Sequence, residues 1–240
     1  MPDSIDDHQI ANRPITVNEL IQPGMDALRR LWLPFVLIQL CGCALVVGYY
    51  FVPSVTRACE WVAGVKAAGG YAFCAGVMAV AGGLVPELFK YVTGIDRSLT
   101  RVRMSNIAFA MCLFACSGVL AETFYRLMAW TFGDSNAPDI VASKLAIDQF
   151  VYTPTFGVGF VAILYAFRLD NYSVRVLLRQ VSVRWYVRTV GPMLPPCWAY
   201  WIPMGTLLYI LPVSLQFVFG AIGTSAANLI FIAVASRERK

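Results

Sequence analysis

Chemistry in this chain would have to be built from few parts. The single histidine, His8, lies in a polar stretch, which argues against His-based acid–base catalysis, paired-His haem ligation and His-rich metal sites. Seven cysteines (Cys41, Cys43, Cys59, Cys74, Cys112, Cys116 and Cys197) form no CxxC pair. They sit mostly in apolar runs and read as small packing residues, including Cys112 and Cys116, which share a helical face. There is no glycine-rich phosphate loop and no nucleophile elbow. What stands out instead is two carboxylates near apolar segments, Glu122 and Asp148, together with Arg126, Gln149 and Asn228. An ionisable group inside a membrane is costly and faces protein or water, so these are candidate pore-lining or packing positions. Arg126 follows Glu122 by one helical turn, which allows a local ion pair. Asp148 opens an apolar run, where a carboxylate also suits a helix amino terminus. No catalytic, cofactor-binding or metal-binding set emerges. The expectation is a protein that is not an enzyme, uses no cofactor and binds no nucleic acid.

A second set is basic. Arg175, Arg179, Arg184 and Arg188 alternate with Val174, Val176, Leu177, Leu178, Val181 and Val183. That pattern describes an amphipathic helix over 173–190 lying on a bilayer surface. Its arginines are candidate contacts for anionic, cardiolipin-like phospholipid headgroups. A binding surface for a partner or an anionic solute is the other reading of the same residues.

The elements that must position these groups are set by where charge is missing. No formal charge occurs between Arg188 and Arg237, and four shorter charge-free runs precede that one. The chain is 58% hydrophobic and 14% charged, with mean hydropathy +0.64. Soluble domains carry roughly 25% charged residues, and about 20 apolar residues suffice to cross a bilayer. Lipid offers no partner to exposed backbone, and segments such as 108–115 are apolar throughout rather than alternating, so the spans are helices. The expected fold is all-α, a polytopic transmembrane bundle of about six membrane helices plus the interfacial helix.

The expected spans are 31–52, 67–89, 104–125, 149–167, 195–211 and 213–235, with Leu211-Pro212 marking the last turn. Residues 1–30 form a polar amino-terminal tail, 31–236 one membrane domain, and 237–240 a basic end. With six spans, fifteen Lys and Arg residues fall on one face and four (Arg57, Lys66, Arg126 and Lys144) on the other. The positive-inside rule then places both termini on the cytosolic or matrix face. The acidic amino terminus suits neither a secretory signal nor a transit peptide, so targeting is expected to be internal. The Asn171-Tyr172-Ser173 acceptor falls on the positive face and is expected to be unmodified.

Two further patterns concern packing. Ala68, Ala72 and Gly76, beside Ala75, Ala79 and Gly83, form stripes of small residues that let helices approach closely, within the bundle or across a dimer seam. Trp198, Tyr200, Trp201 and Tyr209 read as an interfacial aromatic belt.

Spacing over more than a hundred residues resembles the Mpv-seventeen and twenty-two-kilodalton peroxisomal membrane protein family, from about residue 60 to the carboxyl end. The residues that carry it are Asp148-Gln149-Phe150-Val151-Tyr152-Thr153-Pro154, Gly118 with Phe124-Tyr125, Leu211-Pro212 and Asn228. Departures are as informative. Tyr200-Trp201, Met204, Leu207-Leu208, Gln216, Ala227 and Ala129 stand where the family carries other, mostly polar or aromatic, residues. The first span lies outside the family core. The resemblance implies a small protein of an organelle membrane, with the inner mitochondrial membrane favoured over the peroxisomal one. It also implies weakly selective passage of small solutes, which apolar replacements along the path would weaken. The leading expectation is therefore a structural or accessory subunit of a larger mitochondrial inner-membrane assembly, bound to other membrane subunits and lipid. The alternative is a weakly selective channel or small-solute pore.

Overall fold

The computed structural model describes residues 17–95 and 100–237. Helices follow one another with no strand among the described residues. Helix α1 is Val17–Phe51. The chain reverses at Val52 and enters α2, Pro53–Met78, with proline in the first turn, where its missing N–H is not needed. The rod continues through the wider π turns of Ala79–Leu84 into α3, Val85–Val92. Helix α4 is Arg101–Phe132; the Thr100 hydroxyl caps it by accepting from the Arg103 N–H at 3.3 Å. The next rod is α5, Pro138–Ile147, a π segment, Asp148–Gly159, and α6, Phe160–Leu169. Two short helices follow, α7 (Val174–Gln180) and α8 (Val183–Val190). Helices α9 (Leu194–Ile210) and α10 (Val213–Arg237) complete six rods in an all-α bundle.

Among the described residues, four segments are long and apolar enough to cross a membrane: Leu28–Phe51, Pro53–Val92, Arg101–Phe132 and Pro138–Leu169. Helix α9 has 17 residues, and the apolar part of α10, Val213–Leu229, is similarly short. The turn expected at Leu211-Pro212 is present, with Leu211 extended.

Several boundaries differ from expectation, for one reason. Polar and charged residues mark the end of a hydrophobic run but do not end a helix; caps, glycine and proline do that. Residues 17–30, expected in the polar tail, belong to α1. The second rod begins at Pro53 rather than 67, so Arg57 and Lys66 lie inside it. It bends at Gly70, whose φ of +52° is open to glycine but strained for other residues. Arg126 lies within α4, and Asp148 lies ten residues inside a rod that starts at Pro138. The helix expected over 173–190 is two helices. Ser182 caps the second by accepting from the Trp185 N–H at 3.2 Å, while Val181 is extended. Residues 1–16 and 238–240, the outer parts of both tails, lie outside the described residues.

Of the two small-residue stripes, Ala68, Ala72 and Gly76 are exposed, whereas Gly83 of the other works inside the bundle. A Cβ on Gly83 would lie 2.8 Å from the Met111 backbone, and one on Gly118 would lie 2.5 Å from the Cys74 carbonyl oxygen. The second rod and α4 therefore pack backbone to backbone. Gly76 faces open space. The core centres on Tyr200, Tyr209, Met204, Leu208 and Phe217.

Candidate functional site

Glu122 is 98% buried, and α4 presents it to two cations. Arg126 Nε donates to Oε1 at 2.8 Å from one turn on. Lys66 Nζ approaches Oε2 at 2.7 Å from α2. Lys66 also donates to the Val213 carbonyl at 3.4 Å and sits over the Phe217 ring. The expected Glu122–Arg126 pair is therefore present, but Lys66 is the deeper partner. Its side chain is 6% exposed, against 52% for Arg126. Lys66, expected in a loop because it bounds a charge-free run, lies inside α2. A contrary signal was available, since no Pro, Asn or Asp occurs between Ser54 and Ala68 to mark one.

A second charge cluster closes the other end of the same two rods. Glu87 pairs with Lys90 at 2.5 Å and with Arg103 Nε at 3.6 Å. Arg103 also donates to the Glu87 carbonyl at 3.2 Å. Arg103 and Glu122 are nineteen residues apart on one helix, or roughly 28 Å at the α-helical rise. That separation matches a hydrocarbon slab of about 30 Å.

Asp148 occupies a different setting, produced by Pro154. In π pairing the residue at i bonds to the carbonyl at i−5, as Phe160 N–H does to Thr155. Proline has no N–H, so the Gln149 carbonyl loses its partner. The Trp198 indole N–H supplies one at 2.8 Å. The Tyr186 hydroxyl donates to the Pro154 carbonyl, and Gly159 leaves room for it: a Cβ there would lie 2.8 Å from that hydroxyl. Burial pushes the Tyr186 hydroxyl above its ordinary pKa. The other π stretch, Ala79–Leu84, lies two residues before a proline, Pro86.

Around this widened helix lies a cavity of about 740 Å³. It runs from Asp148, Gln149 and Thr153 past Tyr152, Phe156 and Tyr165 to Leu169 and Asp170, with Tyr125, Trp201 and Asn228 on the facing helices. Tyr209 donates to Asp148 Oδ2 at 2.9 Å. No Lys or Arg among the described residues forms an ion pair with that carboxylate. Gln149, 98% buried, has Oε1 without a hydrogen-bond partner, and Asn228 has Nδ2 in the same state. Three of the sequence-derived positions (Asp148, Gln149 and Asn228) thus meet at one cavity, whereas Glu122 and Arg126 do not line it. The helix-dipole role for Asp148 is corrected, because the rod begins ten residues earlier.

The aromatic cluster is corrected too. Tyr200 and Tyr209 are each 1% exposed, and Tyr200 donates to the Gly223 carbonyl at 2.7 Å. These rings tie helices together instead of forming a belt. Gln216, in a position the sequence marked as a departure, donates to the Leu211 carbonyl at 3.0 Å and satisfies the break between α9 and α10.

On the basic face Arg175, Arg179 and Arg188 are exposed and Arg184 is half-buried. Leu178 and Val183 are exposed beside them. Arg168 holds this surface to α4 through Ser105 and Asn106, with its guanidinium 4.6 Å over the Phe109 ring. The seven cysteines are free, and no metal-binding group of three or more His, Cys, Asp or Glu occurs among the described residues.

No family model, curated protein or solved structure matches the chain.

Proposed function

We propose that this is a non-enzymatic, multi-pass membrane protein whose cavity takes up small polar solutes, acting as a weakly selective pore or carrier. One observation carries the reading: two amides, the buried Gln149 and the half-buried Asn228, hold buried, unpaired polar atoms at the wall of a cavity of about 740 Å³. An unsatisfied buried polar atom costs about 1–3 kcal/mol. A bundle evolved only for packing has no use for that cost, whereas a solute or its water repays it. The expectation of an accessory subunit drew on the apolar replacements, the added first span and the charged tails, whose outer parts are outside the described residues. The described residues favour the solute reading over it.

An organelle inner membrane, with both termini on the positive face, follows from the resemblance and the charge count. The exposed arginines at 175, 179 and 188 then lie against anionic lipid, with Leu178 and Val183 dipping into it.

The test is solute release from proteoliposomes holding a neutral polar solute such as glycerol. Release faster than from protein-free vesicles, and slowed by joint Gln149→Leu and Asn228→Leu replacement, is the expected result. Release equal to that of empty vesicles overturns the reading. In that case, sizing after gentle detergent extraction would show whether the protein migrates within a larger assembly.

A further inference from the structure

The cavity has a sign. Its wall holds two carboxylates: Asp170 at one end, which accepts from Gln180 at 3.2 Å, and the more deeply buried Asp148, which pairs with no cation among the described residues and keeps only the Tyr209 hydroxyl as a partner. The same protein neutralises its other deeply buried carboxylate twice over, so the omission at Asp148 is specific to the cavity. Among its other lining residues are several aromatic rings. Tyr152 and Phe156 lie one helical turn apart with ring centroids 5.8 Å apart and planes inclined by 29°, and Phe124 stacks on Tyr152 at 4.3 Å. Tyr125, Tyr165 and Trp201 add further rings around the same space. Ring faces are negative and attract cations, most strongly where water is excluded. Gln149 Oε1, buried and unpaired, is an acceptor with no donor. Among small solutes, the one that meets all three features carries a positive charge, N–H donors and an apolar body.

We infer that the cavity binds a small protonated organic amine. Asp148 serves as its counter-charge, Gln149 Oε1 accepts one of its N–H groups, and the rings of Tyr152 and Phe156 cover its alkyl part. The inference rests on the solute reading above and supplies its substrate class. A volume of about 740 Å³ lies within the range of roughly 300–1,000 Å³ usual for small-molecule sites, so a compact amine enters with some water.

The experiment uses the full chain in lipid nanodiscs, titrated with butylammonium and, separately, with its neutral counterpart pentanol. Binding is read by calorimetry and by the fluorescence of the tryptophans, of which Trp185 and Trp201 line the cavity. Saturable butylammonium binding at least about tenfold tighter than pentanol is expected, and Asp148→Asn should weaken it by about tenfold or more while leaving pentanol unchanged. The amine–alcohol comparison needs only the native protein, so it decides the matter even if the variant folds poorly. Equal binding of the two probes, or unchanged amine affinity in Asp148→Asn, overturns the inference. Glycerol release in the proteoliposome assay would survive that outcome, leaving the solute reading intact. Absence of both binding and release would remove both.

Discussion

Two buried carboxylates in one bundle are treated in opposite ways. Glu122 is held between a buried lysine and a half-exposed arginine. Asp148, nearly as deep, has a tyrosine hydroxyl and a cavity. The first arrangement spends both acceptor oxygens on the protein's own cations and leaves nothing for a ligand. The second leaves a charge unbalanced, together with an amide oxygen that has no donor. Removing one partner from a buried pair costs far more than the pair contributes over an apolar substitute, because the survivor is stranded. The contrast teaches that burial of a charge does not by itself mark a functional site. What marks it is whether the protein has already answered that charge.

The largest effect expected from this contrast is at Glu122. Glu122→Ala strands Lys66, whose side chain is 6% exposed, and is expected to cost about 3–5 kcal/mol. In a detergent melt that is a fall on the order of 10 °C for a chain of this size. Combining Lys66→Met with Glu122→Gln removes both buried charges and should recover most of the loss. A double variant as unstable as Glu122→Ala would show that the site depends on packing rather than on charge balance.

Next comes the support of the widened helix. Trp198→Phe keeps the ring and removes the N–H that satisfies the Gln149 carbonyl, at an expected cost of about 1–3 kcal/mol. Because that carbonyl belongs to the residue whose side chain lines the cavity, the same variant should also weaken amine binding. A stability loss with binding unchanged would separate the backbone device from the site.

How much of this contrast could be read in the sequence depends on the kind of signal. The helical class and the break at Leu211-Pro212 were legible, because absence of charge and the geometry of proline are local properties. The proximity of Asp148, Gln149 and Asn228 to one cavity was not. It depends on α10 facing the 148–159 segment across the cavity, and no pattern in a single chain reports that distance. Lys66 was misplaced for a different reason. A charge that is paired inside a bundle looks, in sequence, like a charge in a loop. The π turns at 148–159 were also hidden, although Pro154 and its orphaned carbonyl are the local cause. The split of the 173–190 helix at Ser182 was readable in principle, since serine is a preferred N-cap. The amphipathic pattern continues through it and masks the break.

Asp148→Asn should be nearly silent in stability, within about 1 kcal/mol, since the amide has the carboxylate's shape and its oxygen can still accept from Tyr209. Its expected effect is on binding alone. This inverts the Glu122 result: one carboxylate matters for stability, the other for ligand affinity. A Tm fall of the Glu122→Ala size in Asp148→Asn would erase the distinction and make Asp148 a structural group.

The smallest effect is expected at Arg126, and it decides which cation balances Glu122. Arg126 lies half-exposed at 52%, with its guanidinium over the Tyr71 ring at 5.0 Å. An ion pair at that exposure is screened by solvent and is worth about 0–1 kcal/mol. Arg126→Gln leaves Lys66 at 2.7 Å from the carboxylate and should shift the melt by no more than a few degrees, less as salt is raised. Lys66→Gln, by contrast, should approach the Glu122→Ala loss, because it leaves a buried carboxylate facing only the screened partner. If the two variants cost the same, Glu122 is shared evenly between its cations and its own balance is looser than the geometry implies. Its difference from Asp148 would then be one of degree, set by how far each oxygen lies from water.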